Sequence, residues 1–138
     1  MFPDPRERGF PLSMKVFFDG GCRPNPGEME IAVVARGELY HLANAGMGCS
    51  EEAEWLALLF ALDTAKQLGE PDIILLGDCA GIIGQATGAH KCRRAEFEIY
   101  RRRFQVDVQH FDRVRVRHIR RTQNLAGIAL NQFKRAHP

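Results

Sequence analysis

The chain is predicted to fold as an α/β domain, on three observations. Short strand-like runs at residues 15–19, 29–36 and 38–43 follow one another across tight turns, the pattern of an antiparallel meander. Ile73-Ile74-Leu75-Leu76 is apolar without a break, which marks Asp72–Gly77 as a strand buried on both faces and parallel to the first. The segments between and after these runs repeat their apolar residues at helical spacing. At 138 residues and 45% hydrophobic content, the chain suits one domain with a core of its own.

Each element has a local reason. Residues 1–13 carry Pro3, Pro5 and Pro11 among mixed charges and lack the apolar stretch of a secretion signal, so a flexible tail is expected ahead of a single domain at 14–138. The first strand closes on Asp19, and Gly20, Gly21 and Asn25-Pro26-Gly27 form the turn after it. In the second strand Ile31, Val33 and Ala35 alternate with Ala32, Val34 and Arg36, and Gly37 turns the chain into the third. Residues 44–48 read as a loop.

Ser50 suits a helix N-cap, with Glu51 and Glu52 favourable in the first turn. Trp55, Leu58, Leu59 and Leu62 continue that helix towards Gly69. A short helix over 80–86 follows the buried strand. The next helix, over 92–104, carries Phe97, Tyr100 and Phe104 on one side. Residues 113–119 alternate Val114 and Val116 with Arg115 and Arg117, a half-buried strand, and a last helix spans 125–136. The order is β-β-β-α-β-α-α-β-α, without internal repeats.

Composition narrows the function. No apolar run reaches the roughly 18 residues that cross a membrane. The cysteines at 22, 49, 79 and 92 form no C-x-x-C pair, which argues against a zinc site and for reduced thiols in a cytoplasm. Net charge is +2, but residues 1–90 hold 6 Lys/Arg against 13 Asp/Glu and residues 91–138 hold 13 against 4. An acidic portion beside a basic one suits an enzyme that works on a phosphate backbone. Arg93, Arg94, Arg101, Arg102 and Arg103 on one helix, with Arg113, Arg115, Arg117, Arg120 and Arg121 after it, could form that basic face; ordinary solvated helix faces are the plainer explanation.

Three carboxylates fall at the ends of separate elements: Asp19 after the first strand, Glu54 in the first turn of the long helix, Asp78 after the buried strand. Each has a plain alternative, as a turn cap, a helix-dipole partner or a helix cap. Together they suggest a divalent-metal site.

With these elements placed, the chain resembles type 1 ribonuclease H from Lys15 to Arg135. Asp19-Gly20-Gly21-Cys22 with Asn25-Pro26-Gly27 is similar to that family's D-G-S-x…N-P-G opening. Ala53-Glu54-Trp55 with Ala57-Leu58 resembles its A-E-Y/L-x-A-L, Gly77-Asp78-Cys79 its G-D-S, and Arg121-x-Gln123-Asn124 its R-x-Q-N. The resemblance implies a mixed five-stranded sheet flanked by helices. It also implies hydrolysis of the RNA strand of an RNA–DNA hybrid with two Mg²⁺ or Mn²⁺ ions, Asp19 bridging both ions and Glu54 and Asp78 completing the leaving-group side. Substrate contacts are expected at Gly20, Gly21, Cys22, Asn25, Ser50, Arg93, Arg94 and Arg101, and a monomer with no obligate protein partner is expected.

The pattern departs from the family in three places. The fourth carboxylate, in N-x-x-A-D-x-L, falls on Ile128, or on Gly127 if one residue is deleted; neither binds a metal. Asn131, three residues past Ile128, and Asn124, before the helix, are the replacements at hand. His118 shares the strand phase of Val114 and Val116 and reads as a core residue. The family's T-N-N becomes Cys49-Ser50-Glu51, which weakens the expected grip on the RNA 2′-hydroxyl side. Glu30 stands where glycine is common; it could sit beside the metals or face solvent, and the phase of Ile31 and Val33 favours solvent. A weaker metal site implies high metal demand or a Mn²⁺ preference. Rival readings are a binding module on this fold that has lost catalysis, and a nuclease acting on DNA.

Overall fold

The computed structural model describes residues 13–92 and 94–136, so Arg93 and residues 1–12 of the expected tail lie outside the described residues. Ser13 is anchored: its hydroxyl donates to Asp72 Oδ1 at 2.7 Å.

Alternation along the first strand sends Phe18 to one face of a sheet and Phe17 to the other, and both faces are covered. The strands are β1 (Met14–Cys22), β2 (Gly27–Ala35), β3 (Glu38–Leu42), β4 (Met47–Gly48), β5 (Asp72–Gly77) and β6 (Arg113–His118). Five of them run in the order β3-β2-β1-β5-β6, and β4 pairs with the start of β2. β1, β2 and β3 are antiparallel neighbours, whereas β1, β5 and β6 are parallel, so the expected mixed sheet is present. The short β4 lies in the stretch expected to be loop. Met29 N–H donates to Gly46 O at 2.8 Å and Ala45 N–H to Met29 O at 2.7 Å, which extends the pairing to Met47 and Gly48.

The helices are α1 (Ser50–Gln67), α2 (Ala80–Thr87), α3 (Glu98–Asp107) and α4 (Leu125–Ala136). One face of the sheet holds the main core: Val16, Phe18, Ile31, Val33, Ile73 and Leu75 pack against Trp55, Leu58 and Leu62 of α1, Ile82 of α2, and Phe97 and Phe104. The opposite face is covered by α4, whose Ala126 and Leu130 meet Ala32, Val34 and Phe17.

Several expected boundaries move. Cys49, with extended backbone, is the N-cap of α1, and Ser50 is its first residue. The Ser50 N–H is satisfied from another loop, by Asn25 Oδ1 at 3.1 Å. The helix expected over 92–104 starts later. Phe97 turns into the core and its N–H bonds Arg94 O at 2.9 Å, so the chain approaches α3 through a 3₁₀ turn at Ala95–Phe97. β6 ends at His118, one residue early, and His118 is exposed at the strand end instead of packed with Val114 and Val116. Glu30 also departs from expectation. It faces the α4 side, largely buried and beside His41, and is not turned to solvent.

Candidate metal centre

The parallel strands β1 and β5 end side by side, and the N-terminus of α1 arrives over the same edge. This convergence brings Asp19, Glu54 and Asp78 together: one ligand oxygen from each lies within 4.8 Å of the others. Gly20 makes the approach possible. A Cβ there would collide with the backbone of Ala53, so only glycine lets α1 rest on β1. The Gly20 N–H donates to Glu54 Oε1.

Glu54 is buried, and its carboxyl is held well above the usual carboxylate range, first by burial and then by the charge of Asp19, against the pull of the Gly20 N–H. The neighbouring Cys79 thiol is also pushed up, mainly by burial and further by Glu54. Carboxylates this close, one of them desolvated, form a site that favours positive charge. The hard oxygen donors suit Mg²⁺ or Mn²⁺.

The cleft around them has a volume of about 520 Å³. Gly20, Gly21, Cys22 and Ser50 line it, as do Arg23, Arg121, Gly127 and Asn131. Arg23 and Arg121 thus bring two basic residues to the cleft that holds the carboxylates. Arg23 is absent from the contacts expected from the sequence, although its place beside Asn25-Pro26-Gly27 is a signal there. Cys22 is buried, its thiol 3.3 Å from Pro24 O and 3.4 Å from Gly48 O.

The residues expected at the place of the fourth carboxylate stand in different surroundings. Gly127 is the α4 residue against the carboxylates: a Cβ there would sit 3.3 Å from Asp19 Oδ2 and 3.6 Å from Asp78 Oδ2. Ile128 is exposed and does not line the cleft, whereas Asn131, one turn beyond Gly127, does. Asn124 is fully buried with a different set of contacts. Its Nδ2 donates to Asp78 Oδ2 and Phe18 O, both at 3.0 Å, and its Oδ1 accepts from Ala126 N–H at 3.2 Å. The group turned to Asp78 is therefore a donor, and Asn124 holds that carboxylate in place. His118 Nε2 lies 3.2 Å from the Asp78 carbonyl oxygen on the same strand end.

The expected basic contacts divide. Arg94 lies over the Phe97 ring, 4.6 Å from its centroid, and pairs with Glu96. It lines a separate cavity of about 510 Å³ with Cys49, Glu52 and Glu96. Arg101 pairs with Glu98, and Arg103 with Asp107 at 3.4 Å. Neither Arg94 nor Arg101 lines the carboxylate cleft.

A mixed sheet in this order, with acidic groups at the shared end of its parallel strands, defines the ribonuclease H fold. The crystal structure of ribonuclease H1 from Halobacterium salinarum superposes with a TM-score of 0.78 at 29% identity, covering 90% of this chain and 98% of that one. The N-terminal ribonuclease H domain of a Mycobacterium tuberculosis protein gives 0.77 at 22% identity, over 86% and 95% of the two chains. A ribonuclease H1 isolated from compost gives 0.76 at 23%, over 91% and 99%. The chain belongs to the reverse transcriptase-like family, whose model matches residues 17–133. Ribonuclease HI of Halobacterium salinarum is 31% identical over 119 residues, 83% of this chain; the chain spans 60% of that relative's length.

Proposed function

We propose that this chain is a ribonuclease H: a metal-dependent endonuclease that hydrolyses the RNA strand of RNA–DNA hybrids through a two-metal mechanism. The observation that carries this reading is the meeting of Asp19, Glu54 and Asp78, from three elements, in one cleft. Similarity to ribonuclease HI supports it. A ribonuclease H1 of the same fold has been solved in complex with an RNA/DNA hybrid.

Asp19, Glu54 and Asp78 would hold the ions, Mg²⁺ or Mn²⁺. Two divalent ions supply an activated water and neutralise the departing oxygen of an in-line displacement. The protein contributes position. Asn124 fixes one oxygen of Asp78, and the Gly20 N–H fixes one oxygen of Glu54. Arg23 and Arg121 attract the phosphate that must come close to three acidic groups. Ser50 and the backbone of Gly20 and Gly21 border the same cleft and are the contacts proposed for the sugar–phosphate chain. Asn25 acts behind them, by tying its loop to the start of α1.

The second reading is a module that binds hybrids without cutting them, favoured by the lack of any acidic residue in the sequence of α4. Competition between an RNA–DNA hybrid, an RNA duplex and a DNA duplex tests the choice. Cleavage confined to the RNA strand of the hybrid is expected; DNA cleavage would assign another nuclease activity to the fold, and binding without cleavage in either metal would select the module.

A further inference from the structure

The start of α1 meets the cleft at Ser50 and Glu54, one turn apart. Glu51 lies three residues before Glu54 and shares a helix face with it, yet it does not line the cleft. Its carboxylate is engaged elsewhere. Gln85 Nε2, on α2, donates to Glu51 Oε1 at 3.3 Å, and Gln85 Oε1 accepts from Trp55 Nε1 at 3.2 Å.

Chemistry fixes the direction of this chain of bonds. An indole N–H can only donate, so it takes the amide oxygen of Gln85 and turns the amide N–H groups to Glu51. Trp55 is fully buried and Gln85 is 5% exposed, so the amide is anchored in the core. A buried amide is costly unless its polar atoms are bonded. Trp55 needs only the acceptor end; the donor end serves Glu51.

The place of that carboxylate matters for charge. The cleft holds three carboxylates against Arg23 and Arg121, and the phosphate chain proposed to enter it passes Ser50, the neighbour of Glu51. A further negative charge swung to that edge would repel it. We propose, resting on the ribonuclease H reading above, that Gln85 is a positioning residue for substrate binding: through its bond to Glu51 it holds that carboxylate against α2, off the path of the nucleic-acid backbone past Ser50.

The test is binding of a fluorescein-labelled RNA–DNA hybrid to the whole chain in EDTA, read by anisotropy at low and high salt. The variants are Gln85→Met, Glu51→Gln, the double variant Glu51→Gln/Gln85→Met, and Glu51→Asp. Methionine keeps the length of glutamine without its amide, and urea unfolding checks that each variant folds. Gln85→Met is expected to raise Kd about fivefold at low salt, the size of one unit-charge repulsion at contact distance in water, and the loss should shrink as salt screens it. Glu51→Gln alone should stay within about twofold of the wild type, and the double variant should return to it. Glu51→Asp shortens the tie without touching the core and should weaken binding in the same salt-dependent way; it decides the case if Gln85→Met unfolds. A double variant as weak as Gln85→Met assigns Gln85 to packing and overturns the proposal, as does a loss that is absent or equal at every salt concentration. Binding about fivefold tighter in Glu51→Gln alone would mean that the tied carboxylate already faces the substrate, and overturns it too. All of these outcomes leave the ribonuclease H reading standing, whereas wild-type protein that binds no hybrid overturns both.

Discussion

Asn124 holds Asp78 and also caps the start of α4. Asn124→Ala removes the donor to Asp78 and Phe18 and the acceptor for Ala126 N–H at once, in a fully buried position. A loss of about 1–3 kcal/mol in urea unfolding is expected, together with weaker Mn²⁺ binding. Glu54 gives a prediction of opposite sign. Its carboxyl is raised by burial and by Asp19, so in the metal-free protein its ionised form opposes folding. That penalty is complete above its raised pKa and vanishes once the pH falls below the ordinary carboxylate value of the unfolded chain. In EDTA near neutral pH, Glu54→Gln should therefore melt higher than the wild type, and the difference should close as the pH falls to about 4. A Glu54→Gln variant that melts lower across the whole range would contradict this account of the site.

At the scale of elements, α3 reaches α1 through Tyr100, whose hydroxyl donates to Glu52 Oε2 at 2.6 Å. Burial, followed by this contact, pushes the Tyr100 phenol up to about 12. Tyr100→Phe should cost about 1.5 kcal/mol, read as a lower urea midpoint with an unchanged slope. Strands and long helices were legible in the sequence because their patterns are periodic: Asp72–Gly77 and the helix at Leu125–Ala136 keep the expected bounds. The missed features depend on partners distant in the chain. Asn25 bonds the N–H of Ser50 from 25 residues away, so Ser50 looked like the cap itself. Strand phase turned Glu30 to solvent, but that phase cannot reveal that α4 closes over the second face. His118 follows the phase of Val114 and Val116, but the strand ends there and leaves it exposed. The three carboxylates could be read in advance from the short motifs around them, although β1 runs on past Asp19 to Cys22 and does not close on it, whereas the place of Gly127 against Asp19 needed the packing of α4.

For the whole molecule, α3 carries less free positive charge than its arginines suggest. Much of α3 is neutralised within itself, by Glu98 beside Arg101 and Asp107 beside Arg103, while Arg23 and Arg121 stand at the cleft. Arg121→Ala is expected to weaken hybrid binding and to lower the slope of log affinity against log salt by about 1, as for loss of one phosphate contact; a titration at several salt concentrations measures it. Among the described residues no helix is long and apolar enough to cross a membrane, and the four cysteines are free thiols.

Metal-dependent cleavage is expected to rest on Asp19, Glu54 and Asp78 although α4 has no acidic residue. The most direct measurement incubates the chain with an RNA–DNA hybrid, end-labelled on each strand in turn, in Mg²⁺, Mn²⁺ or EDTA, beside Asp78→Asn. Cuts in the RNA strand alone are expected, in either metal and faster in Mn²⁺, with none in EDTA and a loss of at least about a hundredfold in the variant. Cleavage that persists in EDTA or in Asp78→Asn would contradict this role for the three carboxylates, as would an intact hybrid at every metal concentration.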